Sequence, residues 1–362
     1  MTNFQEDFKY DLSVIICAYN EETHLLNCLN SIKNQKYNKS KFEVIIMDNE
    51  SNDKTPEIAK EFTKLNRDFM NVRYYRIKHV GLSISRNSGI SLAQGKIISF
   101  VDGDAIAHED CVKNILEPFK LDHKTSIVCG KVKNLDNGSF FSKFIFHSHF
   151  NGGVKSRNNN PLGSLVGANM AFSRDVFEVT GGFFNGFTLY GDESSVALKY
   201  LLCKPNAIIR SADKAIVYNE HPDRLALWLK QRFFQGKMLF LINAHIERSN
   251  KFKLFLKALI KSLGLLSLVI ILLNFVITLP LIVFFVSFLF FAIVTFARYK
   301  YILNAFNEVS KAINFKSGLV SIVVCIIGSI FSDAGYFVEG IMSFSKRQIN
   351  LNNSVSSIVE RV

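Results

Sequence analysis

The first hundred residues alternate between short, continuous apolar runs and longer stretches in which apolar residues recur every three or four positions. Leu12-Ser-Val-Ile-Ile-Cys17, Phe42-Glu-Val-Ile-Ile-Met47 and Lys96-Ile-Ile-Ser-Phe-Val101 have strand length and are rich in β-branched residues. Unbroken apolarity of this kind marks strands covered on both faces, as in a parallel sheet. Between them the helical period predicts helices over Thr23 to Asn34, Thr55 to Leu65 and Leu82 to Ala93, with a further strand over Asn71 to Arg76. Four strand-and-helix units in succession imply an α/β fold with an open, mostly parallel sheet. Ligands of such sheets bind beyond the carboxyl ends of the strands. Ala18 to Glu21, Asp48 to Asp53 and Asp102 to Asp104 each follow a strand end, so they are expected to share one crevice.

The pattern changes in the last third. From Ser262 to Ala297 no residue is charged, and Lys261 and Arg298 bracket the stretch. At about 1.5 Å per residue it far exceeds a hydrocarbon core of about 30 Å. Two short crossings turning near Pro280 fit that length, and so does a re-entrant hairpin. A third apolar stretch runs from Gly318 to Phe331 and resumes at Ala334, but Asp333 makes a full crossing costly unless it faces protein or water. The segment from Leu225 to Ile242, with Trp228 and several Phe residues, is expected to be amphipathic and to lie at the membrane surface. The expected organisation is a tail over 1–10, an α/β domain over 11–222, interfacial helices over 223–262, two or three membrane helices over 263–345, and a second tail over 346–362.

Charge supports this division. The formal net charge is +12, from 43 Lys and Arg against 31 Asp and Glu, and more than half of the excess falls after residue 250. Lys251, Lys253, Lys257 and Lys261 precede the first apolar stretch, and Arg298, Lys300, Lys311 and Lys316 follow it. Basic residues flanking a membrane segment favour its cytoplasmic side, which would put the α/β domain in the cytoplasm of a multi-pass protein of the cell membrane. They read as contacts with membrane lipids, and no nucleic-acid motif accompanies them. The N-terminus is polar and acidic, unlike a signal peptide. Six cysteines without a Cys-x-x-Cys pair agree with buried thiols in a reducing compartment. His147 and His149, inside an aromatic stretch without carboxylates nearby, read as structural rather than as a zinc pair.

The most specific chemistry lies at Asp102-Gly103-Asp104. In isolation this tripeptide is a turn. After a buried strand it can aim two carboxylates at one divalent cation, and oxygen ligands suit Mg²⁺ or Mn²⁺. Several stretches, taken in order, resemble the successive signatures of glycosyltransferase family 2. They are Leu12 to Glu21, Asp48 to Asp53, Ser85-Arg-Asn-Ser-Gly-Ile90, Asp102 to Asp104, Gly167-Ala-Asn169, Gly181-Gly-Phe183, Gly191-Asp-Glu193 and Gln231-Arg232. The resemblance covers roughly Asp11 to His221 and implies a GT-A fold that binds a nucleotide-sugar in its first half and an acceptor in its second.

What the resemblance implies for single residues follows motif by motif. Asp104 is the direct metal ligand, with Asp102 serving metal and ribose. Asp48 is the partner of the nucleotide base, since a carboxylate accepts an imide N–H. Tyr19 and Glu21 bracket base and ribose, Ala18 and Gly103 belong to the same nucleotide-sugar site, Arg86 reaches the diphosphate, and Gln231 and Arg232 stand near diphosphate and acceptor. Here the sequence departs from the family, which usually has Glu then Asp where this chain has Asp192 then Glu193; the base is Glu193 or Asp192. The implied reaction is inverting transfer from a UDP- or GDP-linked sugar to a lipid-linked, polyprenyl-type, or polysaccharide acceptor. A catalytically silent scaffold of the same fold and a nucleotidyltransferase are the alternatives. No glycine-rich phosphate loop follows any strand, so dehydrogenase and NTPase readings fall away.

Overall fold

The apolar runs fold as strands. β1 (Tyr10–Ala18), β2 (Phe42–Asp48), β3 (Asn71–Ile77) and β4 (Gly95–Asp102) lie parallel, with β1 flanked by β2 and β4. Helices α1 (Leu25–Lys33), α2 (Thr55–Asn66) and α3 (Leu82–Leu92) connect them at the predicted places. The computed structural model describes residues 8–78, 81–135, 139–147, 165–183, 192–221, 223–246, 281–296, 324–334 and 359–360, with single positions 267, 307, 336 and 338.

Continuous apolarity is explained by the alternation of side chains across the sheet. Val14 and Ile16 of β1 and Val44 and Ile46 of β2 point into a core that α1 and α2 close. Ile15, Ile45, Met47, Ile98 and Phe100 point the other way, into a second core. At the strand starts, buried Glu43 accepts from Ser13 Oγ at 2.7 Å and from the Gln94 N–H at 2.6 Å, and it pairs with Arg73. These bonds offset the desolvation of a charge within the sheet and fix the turn that leads into β4.

The rest of this unit completes a nine-stranded mixed sheet. After β5 (Ile106–Ala107), α4 (Cys111–Leu121) and β6 (Thr125–Asn134) come β7 (Met170–Ser173), β8 (Ile208–Asn219) and the short β9 (Val359–Glu360). The order is β5-β8-β6-β7-β4-β1-β2-β3-β9. β7 runs antiparallel to both β4 and β6, and so joins the parallel half to the later strands. That reversal was not visible in the apolar pattern. Helices at 174–180 and 192–203 pack Val176, Phe177, Val196, Ala197 and Tyr200 into the second core.

Residues 136–152 and 221–350 form a separate unit. Its described parts are helices at Phe140–Ile145, Leu225–Ile246, Leu281–Phe296 and 324–334. Trp228 is fully buried against Phe144, Ile145 and Val324. A Cβ at Gly328 would come within 2.3 Å of the Trp228 ring, and one at Gly236 within 1.7 Å of Ser332 O, so two helices touch at glycines. Asp333 is buried in this unit and thus faces protein. The Leu225–Ile246 helix differs from the amphipathic expectation. Its apolar residues are spread around the axis rather than gathered on one face.

Among the described residues no helix is long and apolar enough to cross a membrane. The Leu281–Phe296 helix is apolar throughout and exposes Phe285, Val286, Phe288 and Leu289. Most of the first half of the uncharged stretch, both basic clusters and Gly318 to Val323 lie outside the described residues.

Candidate active site

Strand register brings three of the expected loops together. Ala18 stands opposite Asp48, and Cys17 opposite Asp102, so the ends of β2 and β4 flank the end of β1. The first two loops are then laced to each other. Asn49 N–H donates to Ala18 O at 2.9 Å, and Asn20 N–H to Ser51 Oγ at 3.0 Å. In return Asn52 N–H donates to Asn20 Oδ1 at 2.9 Å. Glu21 N–H reaches Thr55 Oγ1 at 2.7 Å, and Glu22 N–H reaches Asp53 Oδ2 at 3.0 Å. Asn20 and Glu50 hold positive φ of 57° and 61°, the left-handed region that Asn tolerates better than most residues. Desolvation raises the Asp53 carboxyl, but hydrogen bonds from Thr55 and the Glu22 amide outweigh it and hold the group below the usual range. Tyr19, 43% exposed, stands on this doubled loop.

Asp48 is fully buried. Its oxygens accept from Ser51 N–H and Tyr74 OH, each at 2.9 Å, while Arg76 Nε lies 3.8 Å away. Arg76 also donates to Ser51 O at 2.9 Å. Burial, and then the Asp48 carboxylate, push the Tyr74 hydroxyl upward. Asp48 therefore holds the turn after β2 whatever else it binds.

Three carboxylates lie within electrostatic reach of one another beyond β1 and β4. A Cβ on Gly103 would lie 3.2 Å from Cys17 O, 3.3 Å from Ala18 Cβ and 3.3 Å from Glu21 Cγ, so the Asp-Gly-Asp turn packs directly on the first loop. Burial raises the Asp104 carboxyl to about 7, with Asp102 and then Glu21 adding like-charge repulsion. Glu21 is raised too, by burial first, although His24 Nδ1 at 3.3 Å works against the shift. Among the described residues no three His, Cys, Asp or Glu side chains form a ready-made metal cage. Clustered hard oxygens short of a full cage fit Mg²⁺ or Mn²⁺, which bind through one or two carboxylates and complete their shell with substrate phosphates and water.

Arg86 differs from its expected place at the diphosphate. It is 2% exposed, with its guanidinium 5.7 Å from the Phe100 ring and 5.5 Å from that of Phe183, and it reaches Asp102 Oδ1 at 3.5 Å. Gly167 makes this possible, because a Cβ there would come within 2.5 Å of Arg86 Nη2. Its cationic head thus faces the strand-end acid from within the second core.

On the acceptor side, α6 (Arg174–Thr180; α5 is Phe140–Ile145) ends at Gly181 with a left-handed φ of 75°. α7 (Asp192–Cys203) begins at the expected acid pair. Val196, Ala197 and Tyr200 form its buried stripe, and Glu193 heads that stripe at helical spacing, half-buried. The Asp192 side chain lies outside the described residues. Gln231 and Arg232 stand on α8 (Leu225–Ile246), in the other unit, with Arg232 5.7 Å over the Trp228 ring.

Sequence reasoning quoted some residues without seeing their function. Asn169 is buried and donates to Lys131 O at 3.1 Å and Ala215 O at 2.9 Å, tying β6 to β8; a Cβ on Gly130 would come within 2.3 Å of it. Asn20 and Ser51 lace the loops. Their only sequence signal is a polar residue in a strand-end loop, which does not distinguish lacing from ligand binding.

Sheet order and the strand-end crevice define a GT-A-like α/β fold. Residues 13–181 match the model of glycosyl transferase family 2. Glycosyltransferase AglE of Haloferax volcanii is 40% identical over 100 residues, 27% of this chain and 32% of that protein. A dolichyl N-acetyl-alpha-D-glucosaminyl phosphate 3-beta-D-2,3-diacetamido-2,3-dideoxy-beta-D-glucuronosyltransferase of Methanococcus voltae is 32% identical over 109 residues, 30% of this chain and 34% of that protein. These matches span about a third of each relative's length. Among solved structures, mannosyltransferase PcManGT from Pyrobaculum calidifontis in complex with GDP-Man and Mn²⁺ aligns over 93% of this chain and 88% of that one, with a TM-score of 0.56. At 16% identity that likeness is one of fold.

Proposed function

We propose that the chain is an inverting, metal-dependent glycosyltransferase that moves a sugar from a UDP- or GDP-linked donor to a lipid-linked or polysaccharide acceptor at the cytoplasmic face of a membrane. The observation that carries this reading is the register that sets Ala18, Asp48 and Asp102 side by side, with Asp104 raised among neighbouring acids. Asp104 and Asp102 would hold Mn²⁺ or Mg²⁺, which when bound offsets negative charge on the donor diphosphate. Tyr19, Glu21 and Asp48 bracket base and ribose, and Ala18 and Gly103 let the first loop and the Asp-Gly-Asp turn pack closely beside them. Arg86 acts on the donor through Asp102, whose carboxylate it pairs.

Glu193 takes the proton from the acceptor hydroxyl as that oxygen attacks the anomeric carbon. Attack from the face opposite the departing nucleoside diphosphate inverts the centre. Membrane attachment is supported by the uncharged stretch with its basic flanks and by the apolar face of the Leu281–Phe296 helix. A lipid-linked acceptor agrees with such attachment, and the Methanococcus voltae relative is named for a dolichyl-phosphate substrate.

Side-chain exchange at the acid pair tests the mechanism. Glu193→Gln is expected to lower kcat by about 100-fold at nearly unchanged donor KM, and Asp192→Asn much less. The reverse ranking would assign the base to Asp192. Near-normal turnover in both variants would remove the pair from the chemistry.

A further inference from the structure

Arg86 and Asn87 are neighbours on α3, and their side chains meet at Phe183, one at its ring and the other at its backbone. Arg86 pairs with Asp102 at 3.5 Å. Asn87 grips one residue by both ends of its amide: Nδ2 donates to Phe183 O at 2.8 Å, and Phe183 N–H donates to Asn87 Oδ1 at 2.7 Å. Two reciprocal bonds to one residue's backbone fix its direction as well as its distance. The chain accommodates this clasp with Gly182, whose φ is 89° and whose Cβ, if present, would lie 2.5 Å from Asn87 Oδ1.

Phe183 is held through its ring as well. That ring lies 5.5 Å from the Arg86 guanidinium and 5.2 Å from the Phe100 ring, edge to face. Phe100 belongs to β4, the strand that ends in Asp102. Val196, Ala197 and Tyr200 of α7 share the core that contains Phe100 and Phe183, and Glu193 heads the same helical stripe. One residue, 96 positions from Asn87 in sequence, thus touches the group that pairs with the donor-side acid and shares a core with the helix that carries the acceptor-side acid.

We propose that Asn87 is a positioning residue, which through Phe183 keeps Glu193 in register with Asp102; the proposal rests on the glycosyltransferase reading above. Its effect falls on turnover rather than on donor binding, because both bonds of the clasp run to Phe183 and not to the laced loops. Small misplacements of this kind are felt in the rate, since the reaction needs near-attack geometry.

The test compares full-length wild type with Asn87→Ala, which removes both bonds, and Asn87→Asp, which keeps the shape but sets a carboxylate against Phe183 O. Three quantities are read: kcat per folded molecule, calorimetric Kd for UDP and GDP with Mn²⁺, and hydrogen exchange at the Phe183 amide. Both variants are expected to lose about tenfold or more in kcat, to keep the nucleotide Kd within about twofold, and to exchange faster at Phe183. Unchanged kcat, unchanged exchange, or a Kd loss that accounts for the whole rate loss would each overturn the proposal. A wild type that turns over no donor would overturn the enzyme reading and this role with it; faster exchange in Asn87→Ala would then tell that failure from an absent clasp.

Discussion

Asp104 shows most directly how burial and charge tune a single group. Its carboxyl is raised to about 7, so the metal-free folded protein binds a proton there that the unfolded chain releases near the ordinary value of 3.8. By linkage, this group's contribution to stability is fully present below that ordinary value and is lost as pH rises from about 4 through about 7. Asp104→Asn is therefore expected to raise the Tm of the metal-free protein at pH 8, with the gain shrinking toward pH 5. Mn²⁺ should stabilise the wild type increasingly as pH climbs through 7, because the ion needs the carboxylate. Equal melting curves for the two proteins across that range, with and without Mn²⁺, would contradict this account. Asp102 and Asp104 were legible because they end an apolar run. The setting of Arg86 was not, since it depends on Gly167 and Phe183, which only the folded sheet brings near.

At the scale of elements, the laced loops after β1 and β2 are what a strand-end crevice needs to keep one shape. Their bonds run from backbone to side chain in both directions, so either loop loosens if the other does. Asn20 is the point of greatest leverage, with a positive φ and a side chain that accepts from Asn52 N–H. Asn20→Ala is expected to combine about 1 kcal/mol of left-handed strain with the lost bond. Asn20→Gly relieves the strain alone. Calorimetric affinity for UDP or GDP should then fall in the order wild type, Asn20→Gly, Asn20→Ala, and an indifferent series would show that the lacing does not shape the nucleoside site. The first three helices and first four strands followed from the apolar pattern nearly to the residue. Continuous runs bounded by turn residues leave little choice of register. β7 escaped because an antiparallel strand buried on both faces carries the same pattern as a parallel one. The Leu225–Ile246 helix escaped because interleaved Lys, Gln and Arg suggested a polar face, although its apolar residues are not gathered opposite one.

For the whole molecule, fold and membrane segment stand on different footing. The α/β domain rests on register, burial and a family match over residues 13–181. The proposed membrane attachment rests on composition and on one exposed apolar helix face. Both meet in a single assay. Carbonate-washed membranes carrying the full chain are incubated with Mn²⁺ and radiolabelled UDP-glucose, UDP-GlcNAc or GDP-mannose, and label is counted in the lipid-extractable fraction and in polymer. The wild type is expected to transfer label from one donor class, and Asp104→Asn membranes with equal protein content to transfer about 100-fold less. Transfer from no donor, or equal transfer by both proteins, would contradict the claim that acids gathered at these strand ends catalyse sugar transfer.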